Sequence, residues 1–408
     1  MLPVATDAAD AFRVVIVNGP RQAGKSTLLR DLHTVSGGTI ATLDDRDSLR
    51  AARTDPAGFV EDQPHPLFVD EVQRGGDRLV LAIKAFVDRR PEPGTFVLAG
   101  SSRFLTVPGL TESLAGRARI LDLWPFTQGE LHGGADSLVG RLFEPPSTLR
   151  GLHPDVVGRS EIFERVAIGG FPAAASLSRA HRDDWCSDYV RTMIDRDLRQ
   201  LRVPRRAIDL DRLVRLLAQR TAQELVVSSL GAAIDLGKDA MADYLALLET
   251  IYLIHRIPAW TPGGSGRVRR RPKIHFVDSG LAASVLNVSV DELVMPVSSM
   301  AGALLESFAV NEFVRQLSWD RQRARLYHYR DAAQREIDLI LELPDGRITG
   351  IEVKAARSVD ETDFRHLIYL RDLIGDRFVN GVVLHLGDRS LAFGDRMTSL
   401  PVSALWAA

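Results

Sequence analysis

The sequence predicts an α/β protein built around a parallel sheet, and two observations lead to that prediction. First, an apolar, β-branched run at residues 14–17 leads directly into a glycine-rich turn and an amphipathic helix. Second, apolar runs at 66–69 and 95–99 resemble the first run, and each is followed by small polar or acidic residues. Ligands of open α/β sheets bind at the carboxyl ends of the strands, so these polar residues are expected to form a site.

Length and composition indicate a globular protein of several domains. The chain has 408 residues, enough for two or three domains, and its 45% hydrophobic and 25% charged residues are ordinary proportions. The amino terminus lacks a basic segment followed by an apolar run, and no stretch is apolar enough to span a bilayer. We therefore expect a cytoplasmic protein with no membrane partner. Its single cysteine, Cys186, excludes an intramolecular disulfide and a cysteine zinc cluster.

The turn after the first apolar run has the Gly-x-x-x-x-Gly-Lys-Ser spacing of a phosphate-binding loop. Gly19 and Gly24 let the backbone curl so that its N–H groups face phosphate oxygens, and the next helix directs its amino terminus at the same anion. Lys25 is expected to hold phosphate charge, and Ser26 to bind Mg²⁺ through its hydroxyl. The residues predicted to bind ATP or ADP are Gly19, Pro20, Arg21, Gln22, Ala23, Gly24, Lys25, Ser26 and Thr27.

Adjacent carboxylates, Asp70 and Glu71, end the second apolar run. Asp70 is expected to hold the Mg²⁺ shell together with Ser26, and Glu71 to polarise the water that attacks the γ-phosphate. An Asp-Glu pair also closes strands without any catalytic role. Its position after a phosphate loop favours the catalytic interpretation.

Two further residues are candidates for the same reaction. Ser101, or its neighbour Ser102, follows the apolar run 95–99 and could reach the γ-phosphate or the attacking water, although either could instead cap the following helix. Arg117 precedes a predicted strand at 120–123 and is a candidate arginine finger supplied in trans to a neighbouring subunit of a homo-oligomer. A plain surface arginine is the alternative.

Several motifs occur together in this chain. The first four follow one another in the order Gly-Pro-Arg-Gln-Ala-Gly-Lys-Ser-Thr, Phe-Val-Asp-Glu-Val-Gln-Arg, Ala-Gly-Ser-Ser and Ser-Leu-Ala-Gly-Arg. Two more come later, Gly-Gly-Phe-Pro at 169–172 and Phe-Val-Asp-Ser-Gly-Leu at 276–281. In this the chain resembles the AAA-type ATPases of bacteria and archaea that carry a C-terminal domain of unknown function. The resemblance implies an additional-strand catalytic-glutamate core sheet, ATP with Mg²⁺, a winged-helix segment and a nuclease-like C-terminal fold.

The middle of the chain contains the parts of a winged helix-turn-helix. Two short helices joined at residues 236–238 follow a longer helix, an apolar strand is predicted at 251–257, and the Gly- and Arg-rich segment 262–273 is the predicted wing. The helix that starts at Lys238 would face a DNA major groove. However, this helix carries Asp239 and Asp243, which phosphates repel, so a packing element within the ATPase is the alternative.

The net charge of −2 means that any nucleic-acid binding must depend on local basic patches. The sequence has two such patches. The first consists of Arg191, Arg196, Arg199, Arg202, Arg205 and Arg206, and the second of Arg267, Arg269, Arg270, Arg271 and Lys273. Either patch could contact phosphates or be a solvated surface.

A hairpin with strong turn chemistry lies at residues 336–354. With a three-residue loop, Asp338 lies opposite Glu352 and Lys354 shares their face, whereas a two-residue loop sends Glu352 to the other face. Together with Glu306 from the preceding helix, Asp338 and Glu352 would bind one or two Mg²⁺ or Mn²⁺ ions, and Lys354 would orient water or steady charge. This set resembles that of the restriction-endonuclease-like fold, whose Asp, Glu and Lys fall on Asp338, Glu352 and Lys354.

Four domains are predicted: a P-loop AAA-type ATPase core at 1–132, a helical connection or lid at 133–205, a winged helix-turn-helix at 206–275 and a restriction-endonuclease-like α/β domain at 276–408. The expected function is ATP hydrolysis coupled to binding of nucleic acid, DNA being favoured, with cleavage by the C-terminal domain left open. The alternatives are a nucleotide-dependent switch or a protein-remodelling ATPase whose C-terminal domain only binds or docks.

Overall fold

The computed structural model describes residues 1–100, 114–134, 138–200, 210–263 and 270–407. Two compact units are formed. The first consists of Met1–Pro125 and Thr250–Tyr252, and the second of Phe126–Glu249 and Leu253–Ala408. The first unit is therefore not continuous in sequence, because it includes a short piece from the middle of the chain.

The first unit is built on a parallel sheet. Its strands are β1 (Val14–Asn18), β2 (Thr39–Thr42), β3 (Leu67–Asp70), β4 (Phe96–Ala99) and β5 (Ala118–Asp122), in the spatial order β2-β3-β4-β1-β5. All neighbouring strands run parallel. Strand β4 is thus inserted between β1 and β3. The predicted α/β class with a parallel sheet is confirmed.

Helices cover both faces of this sheet. They are α1 (Leu2–Ala11), α2 (Lys25–Ser36), α3 (Arg46–Thr54), α4 (Pro56–Glu61) and α5 (Gly76–Arg89), with a 3₁₀ turn at Val72–Gly75. Val15 and Val17 pack with the leucines of α2, whereas Val14 and Ile16 pack with the apolar side of α5. Because successive side chains of a strand point to opposite faces, β1 is buried on both sides, which explains its unbroken apolar sequence.

The piece at 250–252 is held by aromatic and polar contacts within the first unit. The Tyr252 hydroxyl donates a hydrogen bond of 3.4 Å to Asp122, and the Tyr252 ring lies edge-on to Trp124 at 5.5 Å. Tyr252 has φ +59°. The predicted strand at 251–257 therefore begins only at residue 254, since a turn at Tyr252 precedes it.

The second unit begins with helices. These are α6 (Gln128–Leu131), α7 (Leu138–Arg141), α8 (Pro146–Arg150), α9 (Arg159–Ile168), α10 (Pro172–Ala175), α11 (Arg179–Gln200), α12 (Leu210–Gln219), α13 (Val227–Ala233), α14 (Lys238–Thr250), α15 (Ser279–Leu286), α16 (Val290–Val294) and α17 (Ala301–Leu317). Among the described parts of the chain, no helix is both long enough and apolar enough to cross a membrane.

A small antiparallel sheet accompanies helices α12 to α14. Its strands β6 (Gln223–Glu224), β7 (Ile254–Ile257) and β8 (Lys273–Phe276) lie in the order β6-β8-β7. Along the chain the elements follow as α12, β6, α13, α14, β7 and β8. The segment that joins β7 to β8 contains the predicted wing, of which residues 264–269 lie outside the described part.

A larger mixed sheet forms the end of the second unit. Its strands are β9 (Arg325–Arg330), β10 (Glu336–Glu342), β11 (Ile348–Lys354), β12 (Phe378–His385), β13 (Leu391–Ala392) and β14 (Met397–Pro401), in the order β13-β14-β12-β11-β10-β9. Strands β9, β10 and β11 are antiparallel, whereas β12 is parallel to β11. Helix α18 (Arg365–Ile374) joins β11 to β12, helix α19 (Ala404–Ala407) ends the described chain, and 3₁₀ turns lie at Glu361–Phe364 and Gly375–Arg377.

The hairpin between β10 and β11 has the register predicted for a three-residue loop. Leu339 pairs with Ile351, and Leu343 N–H donates to the Arg347 carbonyl over 2.9 Å. Gly346, the last loop residue, has φ +86°, which suits glycine. This register places Asp338 opposite Glu352, which is the pairing expected for the three-residue loop and not for the two-residue alternative.

A buried ion pair explains two of the sequence motifs. The Asp278 carboxylate accepts hydrogen bonds from Leu281 N at the start of α15 (3.1 Å), from Gly170 N (2.7 Å) and from Arg315 Nη2 (2.8 Å). A Cβ at Gly169, whose φ is +72°, would lie 2.0 Å from an Asp278 oxygen. The motifs at 169–172 and 276–281 thus meet around one carboxylate, where they stabilise the fold.

Candidate functional site

The phosphate loop connects β1 to α2 in a conformation that requires glycine. Gly19 has φ +151° and Gly24 has φ +100°, and a Cβ at Gly19 would lie 2.0 Å from the Leu123 carbonyl oxygen. Gly24 is the N-cap of α2 and offers no side chain to cap the helix. The first N–H groups of α2 therefore remain available for an anion.

Lys25 is buried at the start of α2. Its Nζ donates hydrogen bonds to the carbonyl oxygens of Gly19 (2.8 Å) and Pro20 (2.6 Å), so the side chain folds back over the loop. Burial lowers the pKa of Lys25 to about 8, although the carboxylates of Glu71 and Asp70 act in the opposite direction. Its charge is thus poorly compensated, which favours an anionic ligand at this position.

The acidic end of β3 meets the loop. Ser26 Oγ donates to Asp70 Oδ2 over 2.5 Å, and Asp70 Oδ1 accepts from Glu71 N over 2.9 Å. These hard oxygen donors suit Mg²⁺, which takes few protein ligands beside phosphate oxygens and water. The structure therefore brings together Lys25, Ser26, Asp70 and Glu71, four residues that the sequence assigned to one site.

Two neighbours hold Glu71, and sequence reasoning gave neither of them that role. Gln73 Nε2 donates to Glu71 Oε2, and Arg21 Nη1 lies 3.8 Å from Glu71 Oε1. Glu71 itself has φ +53°. Gln73 belongs to the motif that follows Asp70, but its sequence position alone does not reveal where its amide points.

Arg117 lies at the other edge of the same sheet. Its guanidinium pairs with Asp88 through Nε (2.5 Å) and Nη2 (3.0 Å). Since Val14 pairs with Ala118 in parallel register, Arg117 stands beside the beginning of β1, whereas the phosphate loop follows its end. At ~3.3 Å per strand residue, the length of β1 separates Arg117 from that loop by about 13 Å. A role as arginine finger would therefore be played at the site of another subunit. Ser101 lies outside the described residues.

The second predicted site forms a cluster of acids in the second unit. Glu306 of α17, Asp338 of β10 and Glu352 of β11 are nearly buried, with side chains 13%, 12% and 7% exposed. Asp338 Oδ2 accepts from Val353 N over 2.9 Å, and Lys354 Nζ donates to Glu352 over 3.2 Å. The structure thus assembles the four residues that the sequence proposed.

Lys273 lies in the middle of this cluster. Its Nζ is 2.7 Å from Glu306, 2.7 Å from Glu336 and 3.1 Å from Asp338, and its side chain is 1% exposed. The sequence interpretation of Lys273 as a wing residue on DNA phosphates is wrong. Its position as first residue of β8 turns it inward, away from solvent. Glu336 was also missed, although period-2 alternation places it on the face of Asp338.

Burial and charge set the protonation of the cluster. Burial raises the pKa of Glu306 to about 8 and that of Glu352 well above its ordinary value. Burial acts against the ionised forms of Lys273 and Asp338 too, but their mutual attraction prevails: the pKa of Lys273 is raised and that of Asp338 is lowered. Lys273 and Asp338 thus stabilise each other's charged form.

These residues, as arranged, do not fit a metal ion. Their oxygen donors are of the type that Mg²⁺ and Mn²⁺ prefer, but an ammonium group sits among them. Within the described ranges, no group of three or more His, Cys, Asp or Glu side chains is arranged to hold a metal.

The predicted DNA-contacting surface is described only in part. Arg191, Arg270 and Arg271 are exposed, whereas the side chains of Arg196, Arg199, Arg202, Arg205, Arg206, Arg267 and Arg269 lie outside the described part. On α14, Lys238, Asp239 and Asp243 all face solvent.

Comparison with known proteins assigns the first unit to a class. Residues 11–132 match the family model described as an AAA domain. Together with the loop, Lys25, Ser26 and Asp70, this match identifies an AAA-type P-loop ATPase domain. Residues 159–292 and 301–405 match two domains of unknown function, DUF8612 and DUF4143.

Two relatives match most of the chain. An uncharacterized protein of Mycobacterium bovis and one of Mycobacterium tuberculosis are each 29% identical over 362 residues, which cover 87% of this chain and 74% of the relative. Among solved structures, the Walker-type ATPase of Pyrococcus abyssi is 15% identical, with 70% of this chain and 94% of that chain covered and a TM-score of 0.44. The Thermotoga maritima RuvB Holliday junction branch migration motor is 18% identical, with 67% and 89% covered and a TM-score of 0.30.

Proposed function

We propose that the protein binds ATP with Mg²⁺ and hydrolyses it where β1 and β3 end. The observation that carries the proposal is the 2.5 Å contact between Ser26 Oγ and Asp70 Oδ2, next to the buried Lys25. It joins the phosphate loop to the acidic strand end, which is the arrangement that triphosphate hydrolysis requires.

Each residue has a role in this proposal. Backbone N–H groups of 19–27, except Pro20, which has none, hold the phosphates, and Lys25 exchanges its carbonyl partners for phosphate oxygens. Ser26 and Asp70 hold Mg²⁺, which neutralises developing charge when bound. Glu71 leaves Gln73 and Arg21 to orient and polarise the attacking water.

This function is tested by measuring phosphate release and ATP binding for the wild-type protein and its variants. Wild type is expected to turn over ATP with Mg²⁺, Lys25→Ala to lose binding and turnover, and Glu71→Gln to keep binding and lose turnover. Lys84→Ala, which changes a lysine of α5 outside the site, is the matched control and is expected to behave as wild type. Absence of ATP binding by folded wild-type protein would reject the proposal.

We further propose that nucleic acid, with DNA favoured, is the partner to which nucleotide state is coupled. The order α12, β6, α13, α14, β7, β8 supports a winged helix-turn-helix at 206–275, and Arg270 and Arg271 next to β8 are exposed. The exposed aspartates of α14 disfavour insertion of that helix into a groove. Contact would therefore be made mainly by the wing with phosphates.

For the second unit we propose a nuclease-like fold at 276–408 behind a helical connection at 133–205. The hairpin register and the convergence of Glu306, Asp338, Glu352 and Lys354 support it. Cleavage by these residues stays a prediction. The second candidate function, a nucleotide-dependent switch with a non-cleaving binding module, is favoured by one observation, the ammonium of Lys273 inside the acidic cluster.

Metal-dependent cleavage assays separate these two candidates. Wild-type protein with Mg²⁺ or Mn²⁺ is incubated with single- and double-stranded DNA and with RNA, beside Glu352→Ala and Lys354→Ala. Cleavage that both variants lose supports the nuclease. No cleavage by wild type, with ATP turnover intact, supports the switch.

A further inference from the structure

We propose that Lys273 is the resident cation of the carboxyl-terminal acidic cluster and occupies the place that a divalent metal ion would otherwise take there. The cluster consists of Glu306, Glu336, Asp338 and Glu352. Only the consequence for metal-dependent cleavage rests on the nuclease-like candidate, and the proposal is independent of ATP hydrolysis.

The ammonium group lies among three carboxyl groups. Nζ donates hydrogen bonds to Glu306 over 2.7 Å and to Asp338 over 3.1 Å, and it forms an ion pair with Glu336 at 2.7 Å. These acids come from α17 and β10, so the lysine ties a helix to a strand. A buried ammonium is tolerated only with such complete pairing.

A metal ion would compete for the same oxygens. Mg²⁺ and Mn²⁺ bind carboxylate oxygens at about 2.0–2.2 Å, a separation that leaves no room for an ammonium group hydrogen-bonded to those oxygens. A divalent charge would also be repelled by Lys273 at this range. Occupation by lysine and occupation by metal therefore exclude each other.

The lysine is positioned by a different sheet from the acids. It begins β8, where it pairs with Ile257 of β7 and Glu224 of β6, and the preceding Pro272 carbonyl accepts from Leu225 N over 2.7 Å. Asp338 and Glu336 belong to the larger sheet. Lys273 and the acids Glu336 and Asp338 are therefore held by separate sheets.

Replacement of the lysine tests the proposal on nucleotide-free protein. Mn²⁺ binding is measured by calorimetry, and thermal unfolding is followed in chelator and in excess Mn²⁺, for wild type and Lys273→Met. We expect no Mn²⁺-dependent shift of the wild-type melting temperature. Lys273→Met should melt lower in chelator, recover with Mn²⁺, and bind Mn²⁺ at least about tenfold more tightly than wild type, because unpaired buried carboxylates then attract the metal.

Two variants serve as matched controls. Lys354→Met removes the same charge from a 35%-exposed lysine with one carboxylate partner, and it should gain no Mn²⁺ binding. Lys273→Met/Asp338→Asn should fold better in chelator than Lys273→Met and lose the gained Mn²⁺ site. If Lys273→Met folds only with Mn²⁺ while the double variant folds without it, the proposal is supported.

Other outcomes either reject the proposal or distinguish its failure from failure of the nuclease function. Wild type that binds Mn²⁺ as tightly as Lys273→Met, with the binding abolished by Asp338→Asn, overturns it, as does Lys273→Met without any gained site. If Lys273→Met gains Mn²⁺ but cuts no nucleic acid, the lysine's role is upheld and the nuclease is rejected. ATP turnover of the same variant reports separately on the first unit.

Discussion

Ser26 Oγ lies 2.5 Å from Asp70 Oδ2, although 44 residues separate the two in sequence. The contact crosses from the start of α2 to the end of β3. Since β4 lies between β1 and β3, the two strands that lead into these residues are not neighbours in the sheet. The phosphate loop and the acid are therefore aligned by the sheet as a whole.

Asp70→Asn should separate metal binding from nucleotide binding. The amide keeps the shape of the side chain but loses the charge that holds Mg²⁺. We expect turnover to fall about 10–100-fold and the Mg²⁺ requirement to rise, while ATP binding in chelator is nearly unchanged. Steady-state rates over a Mg²⁺ titration measure this. Asp44→Asn, an exposed aspartate paired with Arg74, is the control, and an equal loss there would contradict the assignment.

ATP affinity should fall as pH rises above about 8. In the free protein Lys25 has a pKa lowered to about 8, and bound phosphate would raise that pKa, so binding takes up a proton above pH 8. The affinity for ATP is highest below this pH, and above it the affinity falls by up to about tenfold per pH unit. Calorimetry in buffers of different ionisation enthalpy measures the proton uptake. A flat profile from pH 7 to 9.5 would show that Lys25 does not contact phosphate.

Arg117→Ala distinguishes a finger in trans from a local ion pair. As a finger, Arg117 would lower turnover by about 10³-fold or more on removal, with ATP binding retained, and wild-type turnover per subunit would rise with protein concentration. Asp88→Ala removes the carboxylate partner of Arg117, whose Nη1 also donates to the Ala115 carbonyl, and should leave turnover intact. Equal effects of the two variants would indicate a purely structural pair.

Gly169→Ala should destabilise the second unit. The added Cβ would meet an Asp278 oxygen at 2.0 Å, and the residue has φ +72°. We expect a loss of about 2–4 kcal/mol in the free energy of unfolding, since the change disturbs a buried ion pair and strains the backbone. Denaturant unfolding measures the loss. Gly158→Ala, where no atom lies within 4 Å of the added Cβ, should change little.

The salt dependence of DNA binding tests the wing. If Arg270 and Arg271 each contact one phosphate, Arg270→Gln/Arg271→Gln should weaken binding and reduce the slope of log K against log salt by about 1.8. The control Arg321→Gln/Arg325→Gln removes two exposed arginines elsewhere in the same unit. Identical slopes for wild type and the wing variant would exclude phosphate contacts by these arginines.

Local patterns predicted much of this fold. The loop at 19–26 and the acids 70 and 71 follow short strands, so their convergence at one sheet edge follows from strand direction alone. For the hairpin, the sequence left a two-residue and a three-residue loop open, and each loop length predicts one register because a period of two fixes every opposing pair. In both cases the relevant residues are close in sequence or tied to a regular element.

Some contacts between distant segments could not be predicted. Lys273 lies 33 residues from Glu306 and 65 from Asp338, and the exposed Arg270 and Arg271 shortly precede it in sequence. Charge counting therefore grouped it with the wing, although β8 turns its side chain inward. The same limit applies to Gly169 and Asp278, whose packing depends on how α9 and α15 meet.

Because of the short piece at 250–252, the ATPase unit consists of two separate stretches of the chain. Tyr252, which bonds Asp122 and packs on Trp124, follows helix α14, whose residues up to Glu249 belong to the second unit. No single proteolytic cut can release the ATPase unit whole. A fragment ending near residue 132 would leave the Trp124 ring without its aromatic neighbour, and its solubility and turnover would report on that missing tripeptide as much as on the catalytic residues.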